Sequence, residues 1–205
     1  GKSGKIKILN NDNVYPHSLG LLYSAITHYL GWKHHCDEGI IMGLASYGNS
    51  NAKIPGTKNK TYKSIFKEIL TENKNFKYNI NLEYIDYYST KNKWVTDKFL
   101  KIFGSKRNWK EPILQHHKNI AAALQDQLET VVLSHLRKAR KKFKLSRLCL
   151  AGGVALNCSL NGKIVESKIF DEIFVQPASG DDGGAFGACL LAYASKKKNL
   201  KPKKM

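Results

Sequence analysis

At 205 residues, the chain suits one domain or one lobe of a larger domain, and its 42% content of hydrophobic residues excludes wholesale disorder. No secretory signal opens it, and no apolar stretch approaches the roughly 20 residues of a membrane helix, so we expect neither a secreted protein nor a membrane partner. The formal net charge of +18 would attract phosphates, but the lysines lie in Asn-rich segments without a recognisable reading motif, so we do not expect a specific nucleic-acid partner.

The first two thirds of the sequence predict mainly helices. Ser18 is suited to cap a first helix, which Gly31 would end, and a second helix is predicted at residues 38–45. Residues 49–60 have the composition of a loop. Apolar residues at helical spacing predict three further helices, at residues 65–70, 94–103 and about 117–142. Alternating apolar residues predict two strands, an edge strand at residues 6–8 and a half-buried strand at 76–82.

The last third of the sequence predicts alternating strands and helices. A strand at residues 147–150 precedes a helix that begins near Asn157, and a strand at 170–175 precedes a helix at 185–194. This order in so short a segment implies a parallel pair of strands with a helical crossover. We therefore predict an α/β fold, followed by a basic tail or linker at residues 196–205.

Two glycine-rich turns, Gly152-Gly153 and residues 180–184, each follow a predicted strand and open a helix. Glycine lets backbone amides approach a ligand, and helix N-termini attract anions, so both turns are suited to bind phosphate. Neither turn matches a dinucleotide-binding or P-loop signature. The alternative is that these glycines only permit tight packing of helix against sheet.

Paired carboxylates, Asp181 and Asp182, lie in the second of these turns. A carboxylate near bound phosphates commonly holds a hard cation or a ribose hydroxyl. The alternative for either residue is capping of the helix that follows.

The four cysteines form no CxxC pair, which is typical of a reduced, cytoplasmic protein. Cys149, Cys158 and Cys189 have small or apolar neighbours, so we interpret them as minor hydrophobic residues. Cys36 adjoins a short His and Asp cluster, which raises the hypothesis of a metal site. Consecutive residues rarely converge on one tetrahedral ion, however. The cluster consists of His34, His35 and Asp37.

Four motifs in a fixed order resemble the O-carbamoyltransferases of antibiotic and nodulation-factor biosynthesis. They are PHSLGLLYSA at residues 16–25, MGLASYG at 42–48, AGGVALNC at 151–158 and VQPASGDDGGAFGA at 175–188. The resemblance covers nearly the whole chain and is weakest from residue 49 to residue 100. It implies that residues 1–195 are part of a catalytic domain, the second lobe of an actin-like (ribonuclease H-like) ATPase fold with a long helix and a βαβα nucleotide-binding unit.

The resemblance also implies a reaction. Family members make carbamoyl-adenylate from carbamoyl phosphate and ATP in a separate domain, and the actin-like domain then transfers the carbamoyl group to a hydroxyl of a sugar or natural-product scaffold with a bound divalent metal, Fe²⁺ or Mg²⁺. By this resemblance Asp181 would ligate the metal, and His17 would lie in the region that faces the nucleotide. His17 is the best candidate for the general base that the acceptor hydroxyl needs; the alternative is that it is a structural hydrogen-bonding residue. The nucleotide would be lined by Gly152, Gly153, Val154, Asn157, Gly183 and Gly184, with Ser18, Gly20 and Gly43 facing it.

The sequence departs from the family pattern in three respects. No two histidines lie four residues apart, so the metal-binding histidine pair is missing, and we expect the first lobe and the adenylate-forming domain to be missing partners. Ile40 stands where a lysine is usual, and Ser46 where a proline is usual. Two alternatives therefore stay open: a catalytically incomplete docking or regulatory module, and a relative of the tRNA threonylcarbamoylation enzymes.

Overall fold

The computed structural model describes residue 8 and residues 15–73, 77–89 and 92–196. The chain divides into two compact units, Gly1–Lys144 (unit 1) and Leu145–Met205 (unit 2). The elements of unit 1 are α1 (Leu19–Tyr29), α2 (Glu38–Ala45), α3 (Tyr62–Ile69), β1 (Leu70–Glu72), β2 (Tyr78–Ile80), α4 (Asp97–Phe103) and α5 (Gln115–Phe143). Those of unit 2 are β3 (Arg147–Leu150), a 3₁₀ turn (Gly153–Leu156), α6 (Cys158–Glu166), β4 (Glu172–Val175) and α7 (Asp182–Lys196). The predicted mixture of helices and strands is confirmed.

The first helix begins and ends where the sequence predicts. The Ser18 hydroxyl accepts a hydrogen bond from the Leu21 N–H at 3.3 Å, which satisfies one of the free amides at the start of α1. Gly31 follows the helix with a φ of +91°, and a Cβ at this position would lie 2.5 Å from the Arg107 carbonyl oxygen. Glycine is therefore required here both by the backbone conformation and by the space available.

The core of unit 1 lies along one face of α5. This helix packs against α1, α2, α3 and β1. Four of the six side chains predicted to face the core are buried, namely Ile120, Leu124, Leu128 and Val131. Burial of each large apolar side chain contributes roughly 1.5–3 kcal/mol. Val132 and Leu136 are half-buried instead.

Some boundaries differ from the prediction. Leu70 leaves α3 and begins β1, which pairs antiparallel with β2 through Leu70 and Ile80. A three-residue strand is too short for alternation to reveal. Leu82 lies beyond β2, whereas Phe76 lies outside the described residues. Val95 precedes α4 and forms a bridge with Ile85.

The predictions at the two ends and for the cysteines have separate outcomes. Ile8 of the predicted edge strand is exposed and belongs to no strand, and Ile6 lies outside the described residues. Residues 197–205 of the predicted basic tail also lie outside the described residues, whereas α7 extends to Lys196. All four cysteines are exposed, so Cys149, Cys158 and Cys189 do not serve as small core residues. None of the helices in the described ranges is both long and apolar enough to span a membrane.

Gly48 brings the loop after α2 into direct contact with α5. A Cβ at this position would lie 2.0 Å from the Lys118 carbonyl oxygen. Two hydrogen bonds hold the same contact, from the Asn49 N–H to Asn119 Oδ1 (2.8 Å) and from Gln115 Nε2 to the Tyr47 carbonyl oxygen (3.0 Å). The tyrosine–glycine pair of the second motif therefore has a packing role.

Replacing Gly48 by alanine should destabilise unit 1. In Gly48→Ala, the added methyl group forces the loop away from α5, and we expect the free energy of unfolding to fall by about 1–3 kcal/mol. Urea denaturation followed by tryptophan fluorescence measures this, because all three tryptophans lie in unit 1. The matched control is Gly39→Ala in α2, where a Cβ meets no atom within 4 Å. Equal stability of the two variants would contradict the proposed close contact.

His116 joins the end of α4 to α3. Its Nδ1 accepts a hydrogen bond from the Tyr62 hydroxyl at 2.7 Å, and its Nε2 donates to the Phe103 carbonyl oxygen at 2.7 Å. Burial lowers the pKa of His116, and the bond to Phe103 opposes this only in part. The neutral ring, with one acceptor and one donor nitrogen, is the form that fits both partners.

Unit 1 should therefore lose stability in mild acid. Because the pKa of His116 is lower in the folded than in the unfolded chain, its contribution is complete above the unfolded value of about 6.5 and decreases as the pH falls below it. We expect the free energy of unfolding, measured by urea titration, to fall less between pH 7.5 and pH 5.5 in His116→Gln than in the wild-type chain. His35→Gln, at an exposed histidine, is the control. If the free energy of unfolding of His116→Gln depended on pH as steeply as that of the wild-type chain, His116 would not be a source of the acid sensitivity.

Candidate active site

The two predicted glycine turns lie side by side in unit 2. Strands β3 and β4 are parallel, in a register that runs from Arg147 opposite Glu172 to Leu150 opposite Val175. Parallel strands end at the same edge of a sheet, so the turns that follow them are neighbours. A hydrogen bond from the Gly152 N–H to the Ser179 carbonyl oxygen, 2.7 Å long, joins the two turns directly.

The first turn combines exposed glycines with a capped helix. Gly152 has a φ of +96°, a conformation that favours glycine, and both it and Gly153 are exposed. Val154 is half-buried within the 3₁₀ turn. The Asn157 side chain accepts the Leu160 N–H at 2.9 Å and so caps α6. The backbone of this turn is thus open to a ligand, whereas the amide oxygen of Asn157 already has a partner.

The second turn is compact. A Cβ on Gly183 would lie 2.2 Å from the Ala178 carbonyl oxygen, whereas one on Gly184 would meet no atom of the described residues within 4 Å. The N–H groups of Gly183 and Gly184 donate to the carbonyl oxygens of Gly180 (3.1 Å) and Asp181 (3.0 Å). An anion bound at this turn would therefore have to share or replace these two hydrogen bonds.

The carboxylates of the second turn are accessible. Asp181 immediately precedes α7, Asp182 is its first residue, and both are exposed. Carboxylate oxygens suit Mg²⁺ and can also ligate Fe²⁺, so their donor chemistry fits the divalent metal implied by the resemblance. Across the described ranges, no group of three or more His, Cys, Asp or Glu residues converges on a point that could hold a metal.

Ser179, a polar residue immediately before the second turn, was not predicted from the sequence as a site residue. The residue is only 4% exposed, and its Oγ has no hydrogen-bond partner among the residues that the structure describes. A buried hydroxyl without a partner costs free energy, so its position between the two turns is notable. A serine within a loop gives no signal in the sequence that would distinguish it from a surface residue.

The remaining predicted residues lie in unit 1. His17 and Ser18 precede α1, Gly20 lies in its first turn, and Gly43 is an exposed residue of α2. His17 Nδ1 accepts the Ile80 N–H at 3.2 Å, which connects the start of α1 to β2. In the neutral ring, this bond leaves the proton on Nε2.

Polar side chains connect the helices that carry these residues. The Tyr23 hydroxyl donates to Gln125 Oε1 at 2.9 Å, and Gln125 Nε2 donates to Glu129 Oε1 at 2.7 Å, so α1 is linked to α5. The Ser24 hydroxyl donates to Glu38 Oε1 at 2.6 Å and links α1 to α2. Sequence reasoning identified Tyr23 and Ser24 only as motif positions, because their partners are distant in the chain.

Comparison with known proteins agrees with the resemblance that the four motifs indicate. The family described as "Carbamoyltransferase N-terminus" matches residues 2–190. Nodulation protein NolO of Bradyrhizobium diazoefficiens and nodulation protein NolNO of Sinorhizobium fredii are each 38% identical over 174 residues, which is 85% of this chain and 28% and 22% of the relatives. An uncharacterized protein of Synechocystis sp. is 39% identical over 180 residues, 87% of this chain and 28% of the relative.

The chain thus spans about a quarter of the length of these relatives, whereas the family match covers most of the chain itself. The motifs that carry the resemblance fall within the matched residues, and they include both turns at the ends of β3 and β4. The chain belongs to the carbamoyltransferase family, through its N-terminal domain.

Proposed function

We propose that this chain forms part of an enzyme that transfers a carbamoyl group from carbamoyl-adenylate to a hydroxyl of a small sugar or natural-product scaffold. Carbamoyl-adenylate would be made from carbamoyl phosphate and ATP by a further domain. The observation that carries the proposal is the pair of joined turns at the ends of β3 and β4, with Asp181 exposed beside them. A first lobe, supplying the rest of an actin-like ATPase fold, would complete the site.

The geometry of the turns supports a phosphate site. Two turns at the carboxyl edge of a parallel sheet, each followed by a helical segment, are a common setting for a phosphate site. At the second turn, the phosphate would share or replace the hydrogen bonds that the Gly183 and Gly184 amides now make. The exposed backbone at Gly152 and Gly153 allows close approach of an adenylate phosphate. Asp181 would hold the divalent ion, which when bound would polarise phosphate or carbamoyl oxygens as a Lewis acid.

The transfer itself exchanges one bond to carbon for another. The acceptor's hydroxyl oxygen bonds to the carbamoyl carbon, the bond from that carbon to the phosphate oxygen breaks, and AMP leaves with the electron pair. Amides of the two turns would bind the phosphate that becomes more negative during this step. The proton of the acceptor hydroxyl must pass to a base.

His17 is the candidate base, and its surroundings define what that role requires. Its Nδ1 already accepts the Ile80 N–H, so the neutral ring would carry its proton on Nε2, and the only lone pair that could take the acceptor's proton, on Nδ1, is occupied by this bond. Its hydrogen bond favours a positioning role at the start of α1. The base function therefore depends on release of this contact in the complete enzyme.

A docking or regulatory module is the second candidate function, and exposed apolar side chains favour it. None of the described side chains of α7 is buried, and four large ones are at least 43% exposed, namely Phe186, Leu190, Leu191 and Tyr193. In α2, Ile40 is 47% exposed at the position where the family usually has lysine. Apolar surface of this kind fits contact with another protein segment. It is also what a lobe lacking its partner would expose, so binding measurements must separate the two functions.

Asp181 should be required for metal-dependent nucleotide binding. In isothermal titration with ATP or a non-hydrolysable carbamoyl-adenylate mimic, we expect binding to strengthen with Fe²⁺ or Mg²⁺, and Asp181→Asn to weaken it by about tenfold or more, since even outer-shell substitutions cause losses of this size at metal sites. The control is Asp182→Asn, an adjacent exposed carboxylate. Absence of binding in the wild-type chain under every condition would favour the docking module.

Gly183 should be required for the shape of the second turn. In Gly183→Ala, the methyl group collides with the Ala178 carbonyl oxygen and displaces the turn, so we expect nucleotide affinity to fall by about tenfold or more. In catalytic geometry, a misplacement of about 1 Å can reduce the rate roughly 10²-fold. Gly187→Ala, within α7 and with no atom within 4 Å of its Cβ, should leave affinity unchanged. Equal affinities of these two variants would refute a ligand at this turn. Circular dichroism checks that both remain folded.

A further inference from the structure

Two histidines of unit 1, His28 and His34, contact each other edge to face, with ring centroids 5.2 Å apart. His28 belongs to the last turn of α1, and His34 lies in the segment that connects α1 to α2. Their Nδ1 atoms are 3.3 Å apart. The ring of Trp94 lies against His34, with centroids 4.3 Å apart, and close to His28 at 5.7 Å.

We propose that His28 and His34 form a two-histidine site for a transition-metal ion of the kind that prefers imidazole, such as Cu²⁺ or Zn²⁺. Two nitrogens bound at 2.0–2.1 Å to one tetrahedral ion lie roughly 3.3 Å apart, the separation observed here. Water would fill the remaining coordination positions. Mg²⁺, which requires oxygen ligands, would not bind at this site.

Lys106 is the group that competes with a metal. Its Nζ lies 2.8 Å from His28 Nε2. In the metal-free chain the ammonium donates to Nε2, so the proton of His28 is on Nδ1 and is donated to His34 Nδ1. Metal binding moves that proton from Nδ1 to Nε2 of His28 and breaks the bond to Lys106, whose exposed side chain can turn into solvent. No proton is released or taken up in this exchange.

The neighbouring histidine and cysteine are not needed as ligands. His35 Nδ1 lies 3.4 Å from the Ser24 hydroxyl, which in turn donates to Glu38. Cys36 is exposed, and among the described residues no group of three potential ligands converges on one point. The sequence cluster at residues 34–37 therefore contributes one ligand, and the second comes from α1.

Quenching of Trp94 fluorescence by Cu²⁺ tests the proposal. Cu²⁺ bound beside Trp94 should quench it in a saturable titration with one equivalent of metal, and Mg²⁺ should not. His28→Gln and His34→Gln should each weaken binding by more than about tenfold. Lys106→Met should tighten it severalfold, because a competing donor and a positive charge are removed. Trp94→Phe should lose most of the quenching but retain Cu²⁺ binding in isothermal titration.

Control variants separate this site from the rest of the molecule. His135→Gln removes a histidine from a different part of unit 1, beside Glu72 and Tyr78, and should leave the quenching unchanged. Asp181→Asn should also leave it unchanged, so failure of the proposed nucleotide site would not affect the result. Quenching that persists at full strength in both His28→Gln and His34→Gln, or weaker binding in Lys106→Met, would overturn the proposal.

Discussion

The contact between the loop after α2 and the first half of α5 is the constraint on which unit 1 depends. At Gly48 two backbones approach so closely that no side chain fits, and this fixes the position of α2 on the long helix. Once α2 is fixed, Ser24 and Glu38 hold α1 against it. The hydrogen bond from Tyr23 to Gln125 then joins α1 to α5. Residues of the two upstream motifs thus belong to one packed assembly, in which Tyr23, Ser24 and Gly48 have structural contacts.

Unit 2 differs from unit 1, because most of the proposed ligand contacts would come from its backbone amides and not from side chains. Parallel pairing of β3 with β4 brings the two turns together, and glycine is required where they are closest to other backbone atoms. Gly152 needs a positive φ, and Gly183 needs the space beside Ala178. Asp181 is held at the start of α7 by the same turn. A phosphate site of this kind has few identifying side chains, so its residues are recognised by spacing and by the strands that precede them.

Local patterns predicted local structure well, and failed where a distant partner decides the outcome. The bounds of α2 and β3 follow from apolar spacing and from turn residues alone. Strand β1 was missed because its three residues are paired by β2, which cannot be read from the residues themselves. Likewise, the partner of His17 is the Ile80 amide, 63 residues away, and that of His28 is Lys106, 78 residues away. Hydrogen bonds over such separations depend on the tertiary fold, and spacing along the chain does not specify them.

The two proposed metal sites differ in chemistry, and this difference decides how metal effects on the chain should be interpreted. Carboxylates such as Asp181 select hard cations, whereas the His28–His34 pair selects ions that bind imidazole. Fe²⁺ is compatible with both ligand types. An effect of Fe²⁺ on the chain is therefore no evidence for the nucleotide site by itself, since the ion could act at the histidine pair instead. An effect shared by Mg²⁺ and Fe²⁺ excludes the histidines, because imidazole alone does not hold Mg²⁺ in preference to water. The identity of the metal, more than the size of its effect, thus assigns an observed response to unit 1 or unit 2.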